Sequence, residues 1–262
     1  NMIRHMIINS LRLYRNAYKE NFGELVIACD SKNNWRKNYY PQYKANRKKA
    51  RDKSGLDWVE AFRIINKIRD ELKEHFPYKV IEVEGCEADD IIGTLCKNTQ
   101  EFGQYEDVMI VSADKDFLQL QRYKNVRQYS PLLKKEYREE TPLVGLTEKI
   151  LTGDAGDGVP NVLSHDNVFV EGERQRPLSR KKKDDMINQL NHADSGYQHS
   201  EWYRNYQRNR KLIDLEYTPE ELQSEILEQF NNQDKWAKRG EVLPYLINNR
   251  MKLMIESVEE LI

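Results

Sequence analysis

Three cysteines in 262 residues are too few, and odd in number, for a disulfide framework. Cys29, Cys86 and Cys96 contain no CxxC pair, which also removes the usual zinc-site spacing. They read as buried thiols of a reducing cytosol. The five histidines, His5, His75, His165, His192 and His199, are scattered, so no imidazole-rich metal site is expected. Apolar runs are only a few residues long, far short of the roughly 20 that a membrane helix needs. No stretch has the pattern of a secretion signal, and no internal repeat is visible. The net charge of −1 points to no partner by itself. What is present is enough chain for one large or two small domains. At 39% hydrophobic and 32% charged residues, it is polar yet long enough to bury a core without staples.

The near-neutral total conceals a strong asymmetry. From Lys32 to Lys53 there are nine basic residues and one acid, Asp52, so this segment carries +8 and the remainder −9. Trp35, Tyr39, Tyr40 and Tyr43 are interleaved with the cations. Basic groups neutralise phosphates and release counterions, and aromatic rings offer stacking faces to unpaired bases. Arg36, Lys37, Tyr43, Lys48, Lys49 and Arg51 are therefore candidate nucleic-acid contacts. The competing reading is a solvated charged helix.

Coarse periodicity places the other elements. The opening NMIRHMIINSLRLYRN puts Met2, Ile3, Met6, Ile7, Leu11 and Leu13 largely on one helical face. The sequence thus starts inside a helix, and a piece ahead of it is expected to be absent. Leu25 to Cys29 is a short buried strand ended by Asp30. Residues 57–76 read as a helix, with Trp58, Phe62, Ile65, Ile68 and Leu72 at helical spacing and Pro77 as its stop. Residues 78–83 and 107–112 are further strands, and 87–98 a helix that buries Ala88, Ile91, Ile92 and Leu95. Beyond about residue 145 the pattern is mainly helical. Thr218-Pro219-Glu220-Glu221 has the form of a helix start with a Thr cap, and polar, basic residues 171–183 read as a mobile loop.

Strands alternating with helices imply an α/β fold, a parallel sheet with helices on both faces. Ligands of such sheets collect at the carboxyl ends of the strands. Asp30 follows one strand, Asp114 and Asp116 another, and Glu87 and Asp89 open the helix after a third. GDAGD adds Asp154 and Asp157 in a Gly-rich turn. These seven ionised carboxylates cannot share a cleft uncompensated. Divalent cations resolve the repulsion, and an all-oxygen donor set selects hard ions, Mg²⁺ with Mn²⁺ as a substitute. Two such ions about 3.5–4 Å apart suit phosphoryl chemistry. Each acid alone has an ordinary explanation: Asp and Glu favour the first turn of a helix, and Asp after a strand often caps or turns. The coincidence of the clusters carries the inference. An acidic metal-bearing edge beside a basic, aromatic segment points to phosphodiester cleavage. A nucleic-acid-binding protein without catalysis, and a Mg²⁺ phosphohydrolase of small molecules with Asp30 as nucleophile, stay open at this level.

YPQYKANRKKAR, GCEADDIIG, VSADKDF and LTGDAGDGV, in that order, resemble the signature blocks of the 5′ nuclease (flap endonuclease) superfamily. The likeness is greatest to its T-even bacteriophage members and runs through KLIDLEYTP and RGEVLPYLI. The resemblance implies a PIN-like α/β nuclease domain over residues 1–144, with a helical arch at about 32–56. A helical duplex-DNA-binding domain over 145–262 would follow. It implies that Asp30, Glu87, Asp89, Asp114, Asp116 and Asp157 are metal-site residues, with Asp90 and Asp154 acting through water. Lys44 and Arg47 correspond to arch residues that engage the scissile phosphate. It further implies a Mg²⁺-dependent 5′→3′ exonuclease and flap endonuclease with RNase H activity, removing primers from lagging-strand fragments in phage replication. Expected substrates are DNA and RNA–DNA duplexes with 5′ ends or flaps. Expected partners are a single-stranded-DNA-binding protein and a sliding clamp. The setting would be the cytoplasm of an infected bacterium, with no membrane association and a monomeric chain. Two departures are visible. The family has another metal-binding Asp after a first strand, which this sequence does not reach, so weak or no cleavage is expected of this stretch taken alone. GVPNVLSHDNVF also lacks the glycines with which many relatives grip duplex backbone.

Overall fold

The computed structural model describes residues 2–192, 196–233 and 236–262, except for the side chains of 48–50, 102, 236 and 237. In chain order the first half runs α1 (Met2–Phe22), β1 (Val26–Ala28), α2 (Trp35–Tyr39), α3 (Arg47–Lys53), α4 (Trp58–His75), β2 (Lys79–Ile81), α5 (Ala88–Asn98), β3 (Val108–Val111), β4 (Val126–Ser130) and β5 (Lys135–Tyr137). The second half is helical: α6 (Pro142–Thr152), α7 (Arg180–Leu190), α8 (Glu201–Ile213), α9 (Glu220–Asn232), α10 (Val242–Asn248) and α11 (Lys252–Ile255). The expected α/β class is observed, with finer detail in the strands. Among the described residues they form two sheets: β1 parallel to β2, and β3 parallel to β4 with β5 antiparallel at the edge.

Local chemistry explains the boundaries. The Asp57 carboxylate accepts the Glu60 N–H at 3.0 Å and starts α4, which ends before Pro77. At α5 the Asp90 carboxylate accepts the Glu87 N–H at 2.9 Å. Ile68 and Leu72 of α4 pack with Ile8, Phe76, Tyr78 and Val80. The C-terminal Val242, Tyr245, Leu246, Met251 and Met254 join the same cluster. The end of the chain thus closes over α1 and α4. Likewise Ile226 of α9 packs on Ile81, Val83 and Ile91, and Leu215 on Ile110 and Phe117.

Two sequence expectations are corrected, those for Thr218 and for residues 180–183, and burial resolves the faces of α4 and α1. Phe62 and Ile65 are 44% and 48% exposed. The first turns of α4 follow the arch and leave the core to Ile68 and Leu72. In α1 the fully buried residue is Ile8, while Met2 and Met6 face outward. Thr218 does not cap α9; its hydroxyl donates to Asp90 at 2.8 Å, and Pro219 precedes the helix. Residues 180–183, expected within a loop, are the first turn of α7, where the Ser179 hydroxyl accepts the Lys182 N–H at 3.3 Å.

Candidate active site

The carboxyl ends of β1, β2 and β3 deliver acids toward one edge, and the turn after α6 meets them. Tightness at this turn depends on Gly153, whose φ is +71°, where an added Cβ would lie 2.4 Å from the Val159 carbonyl oxygen. Asp154 and Val159 exchange two backbone hydrogen bonds of 2.8 Å across the turn. Asp89, Asp116, Asp154 and Asp157 then line one cleft with Tyr43, Val159 and Ile213. Glu87 enters through Tyr43, whose hydroxyl donates to Glu87 at 2.9 Å and to Asp157 at 3.1 Å.

The arch is anchored on this turn. The Lys44 N–H donates to the Asp157 carbonyl at 2.7 Å, and Asn46 Nδ2 to the Ala155 carbonyl at 2.9 Å. Lys44 Nζ pairs with Glu87 and lies 3.5 Å from Asp157, which also pairs with Arg47. Across the cleft Lys149 pairs with Asp116 and lies 3.1 Å from Asp154. The sequence reading missed Lys149; a cation in the last turn of a helix is ordinary, so nothing but its proximity to GDAGD marks it.

Electrostatics follow from this placement. Burial, reinforced by Glu87 and Asp114, pushes the Asp89 carboxyl up to about 7. Burial also raises Asp116, with Lys149 opposing it only in part. At Glu87 burial is outweighed by Lys44 and Arg36, and its carboxyl falls below the ordinary range. Asp154 falls as well, because burial is outweighed by Lys149 and by backbone N–H groups of the turn.

The remaining expected residues separate into groups. Asp114 is exposed and accepts the Asp116 N–H at 2.9 Å. Asp30 is exposed and accepts the Ala88 N–H at 2.8 Å, against the first turn of α5. Asp90 is turned out of the cleft; it is 0% exposed, and both its oxygens are taken by Arg36 at 2.8 and 2.9 Å. Trp35 Nε1 adds a bond to Asp90 at 3.3 Å. Arg36, expected on the nucleic acid, is 2% exposed at the wall of the cleft, with its guanidinium committed to Asp90 and 3.4 Å from Glu87. Tyr43, expected to stack on a base, is 4% exposed and serves the carboxylates instead. Lys37 and Arg51 are exposed, the latter over the Phe62 ring at 5.9 Å. The side chains of Lys48 and Lys49 lie outside the described residues.

The donor set suits hard divalent cations. Four carboxylates line the cleft, Glu87 joins them through Tyr43 and Lys44, and two ammonium groups sit among them where positive charge is demanded. Oxygen donors without histidine or thiolate match Mg²⁺ or Mn²⁺ better than softer metals.

An acid-lined cleft at the strand ends of an α/β fold, roofed by a basic arch, is the arrangement of a nuclease. The family model for the 5′-3′ exonuclease N-terminal resolvase-like domain matches residues 2–149, and that for the T4 RNase H C-terminal region matches residues 141–261. The chain belongs to the 5′-3′ exonuclease family. It is similar to ribonuclease H of Enterobacteria phage T4, 33% identical over 267 residues, covering 99% of this chain and 86% of that protein. A 5′-3′ exonuclease of Buchnera aphidicola is 30% identical over 166 residues, 60% of this chain and 54% of its own length. With DNA polymerase I of Streptococcus pneumoniae the identity is 35% over 152 residues, only 16% of that polymerase. Among solved structures, zinc-bound T5 5′-exonuclease shares the fold at a TM-score of 0.61 and 17% identity. That match covers 86% of this chain and 90% of the other. Family membership removes the small-molecule phosphohydrolase alternative. Among the described residues no helix is long and apolar enough to cross a membrane.

Proposed function

We propose that this chain hydrolyses phosphodiester bonds in the 5′→3′ direction, as an exonuclease and at 5′ flaps. Glu87, Asp89, Asp116, Asp154 and Asp157 would hold two divalent ions, Mg²⁺ or Mn²⁺, with Asp114 and Asp30 at the margin. The observation that carries this reading is the sharing of one cleft by Asp89, Asp116, Asp154 and Asp157, with Glu87 joined through Tyr43, and with Lys44, Arg47 and Lys149 paired to these acids. Divalent ions bound there supply water activation and charge stabilisation at the leaving oxygen.

The chain's own groups do the rest. Tyr43 holds the Glu87 and Asp157 carboxylates in a fixed relation through two hydrogen bonds. Lys44 and Arg47 place positive charge at the cleft mouth, where a scissile phosphate gains charge during displacement. The hydrogen bonds of Lys44 and Asn46 to the GDAGD turn keep that charge beside the acids. Exposed Lys37 and Arg51 extend the basic face of the arch toward a 5′ strand. The substrates that fit are DNA and RNA–DNA duplexes with 5′ ends or flaps, as in primer removal during phage replication in an infected cell. A single-stranded-DNA-binding protein and a sliding clamp would be its partners in that setting.

The test is release of label from a 5′-flap duplex and from an RNA–DNA duplex, titrated with Mg²⁺ against EDTA. Asp89→Asn and Asp157→Asn should each lose about a hundredfold or more. Turnover that ignores Mg²⁺, or Asn variants as active as the parent, would sink the proposal. Flap binding with no turnover would leave a binding protein.

A further inference from the structure

Two glutamines are buried where periodicity would put apolar residues. Gln128 is 0% exposed on β4, whose inward positions are Val126, Gln128 and Ser130. Its Nε2 donates to the Ser112 carbonyl at 2.9 Å and to the Asp114 carbonyl at 2.6 Å. The amide cannot be flipped, since its oxygen would then face two carbonyl oxygens. Gln128 Oε1 is buried and has no partner among the described residues. An unpaired buried oxygen destabilises a core, so packing alone does not account for a glutamine here. What the side chain gains is the closing of the Ser112–Asp114 turn, where Ser112 Oγ also accepts the Asp114 N–H at 3.1 Å.

Gln119 grips the next acid. It is 5% exposed in the 3₁₀ helix Lys115–Arg122. Its Nε2 donates to the Asp116 carbonyl at 2.9 Å and to the Ile213 carbonyl at 3.2 Å, while its Oε1 accepts the Leu215 N–H at 3.0 Å. Asp116, Ile213 and Leu215 all line the cleft. One side chain thus joins two walls of the cleft from distant parts of the chain. Gln121, on the same helix, supplies the contrast. It makes bonds of the same kind, to the Tyr137 carbonyl at 3.0 Å and from the Glu139 N–H at 2.9 Å, but both partners lie outside the cleft.

We propose that Gln119 and Gln128 are positioning residues, whose amide N–H groups hold the backbone of Asp114 and Asp116 at the separation that divalent ions need. They act through the acids and not on the substrate, and the proposal rests on the metal-dependent reading of the cleft. In the full chain, Gln128→Met and Gln119→Met are compared with Gln121→Met by Mn²⁺ calorimetry and by thermal melting. Methionine keeps the length of the side chain and removes both donors. Gln128→Met should bind Mn²⁺ about tenfold to a hundredfold more weakly. Its metal-free melting temperature should stay near the parent's, because the lost bonds are offset by removal of the unpaired oxygen. Gln119→Met should lose both affinity and melting temperature, since it also leaves the Leu215 N–H without its acceptor. Gln121→Met should melt earlier with Mn²⁺ affinity unchanged. In the unmodified protein the side-chain amide NMR signals of Gln119 and Gln128 should shift as Mg²⁺ is added, with Gln121 unmoved, a readout that needs no variant to fold. Parent-like Mn²⁺ affinity in Gln128→Met and Gln119→Met, or signals that do not move, overturns the proposal. So does an equal loss of affinity in Gln121→Met. A parent protein that binds no Mn²⁺ would instead strike the metal-dependent reading of the cleft.

Discussion

Arg36 and Asp90 form a doubly hydrogen-bonded ion pair, at 2.8 and 2.9 Å, sealed from solvent beneath the arch. Arg36 Nε also donates to the Leu212 carbonyl at 2.8 Å, and Thr218 donates to Asp90 at 2.8 Å. The pair thereby ties the arch base, α5 and the second half of the chain at one point. Asp90 is held below the ordinary carboxylate range, because Arg36 outweighs the effect of burial.

Removing one partner leaves the other charged and buried. Arg36→Met and Asp90→Asn should each cost about 3–5 kcal/mol, read by urea denaturation at pH 7. The depressed Asp90 group gives stability that is present above the unfolded value of about 3.9 and lost as pH falls through the lower folded value. The parent should therefore lose stability in that acid window, and Asp90→Asn should lose less of it. Variants as stable as the parent would show that the pair contributes nothing.

Asp89 titrates with the opposite sign. Its folded value, about 7, lies above an unfolded value of about 3.9, so the metal-free fold weakens as pH rises between the two. Melting in EDTA should become easier from pH 5 to 8, and Mg²⁺ should raise the melting temperature far more at pH 8 than at pH 5. Parallel curves with and without Mg²⁺ would count against Asp89 as a ligand.

Lys149 competes for the same carboxylates that ions would use. Lys149→Met frees Asp116 and Asp154 of an ammonium group, and Mn²⁺ affinity in calorimetry should rise by about tenfold, near 1.4 kcal/mol. The corresponding change at Lys183, which pairs with Glu148 away from the cleft, should leave it unaltered. A fall in affinity for Lys149→Met would assign this lysine to orienting the acids.

Much of this arrangement is legible in sequence because short apolar runs ending in acids mark both strand and site. Val26–Ala28, Lys79–Ile81 and Val108–Val111 fall inside the expected strands, and Ala88–Asn98 inside the expected helix. What composition cannot show is direction. Arg36 and Lys37 are neighbours of one kind, yet one is sealed against Asp90 and the other faces water, because a five-residue helix turns them apart. Tyr43 looks like a stacking ring until its hydroxyl is found between two carboxylates. Thr218 looks like a cap until Asp90, 128 positions away in sequence, claims it. Long-range pairing decided each case, and periodicity carries no record of it.

Two glycines, one at the end of α6 and one inside it, test the site turn against the helix that leads to it. Gly153 has φ +71°, and a Cβ there would meet backbone at 2.4–2.6 Å, so the turn must open to accept any side chain. Gly145 lies within α6, with its nearest neighbour, Glu139 Oε2, 3.9 Å from a built Cβ. Gly145→Ala should therefore stabilise the fold by about 0.5–1 kcal/mol. Gly153→Ala should destabilise it by more than about 1–3 kcal/mol and weaken Mg²⁺-induced thermal stabilisation, since Asp154 and Asp157 move with the turn. Equal and small effects at both positions would mean that the turn is not what aligns these acids.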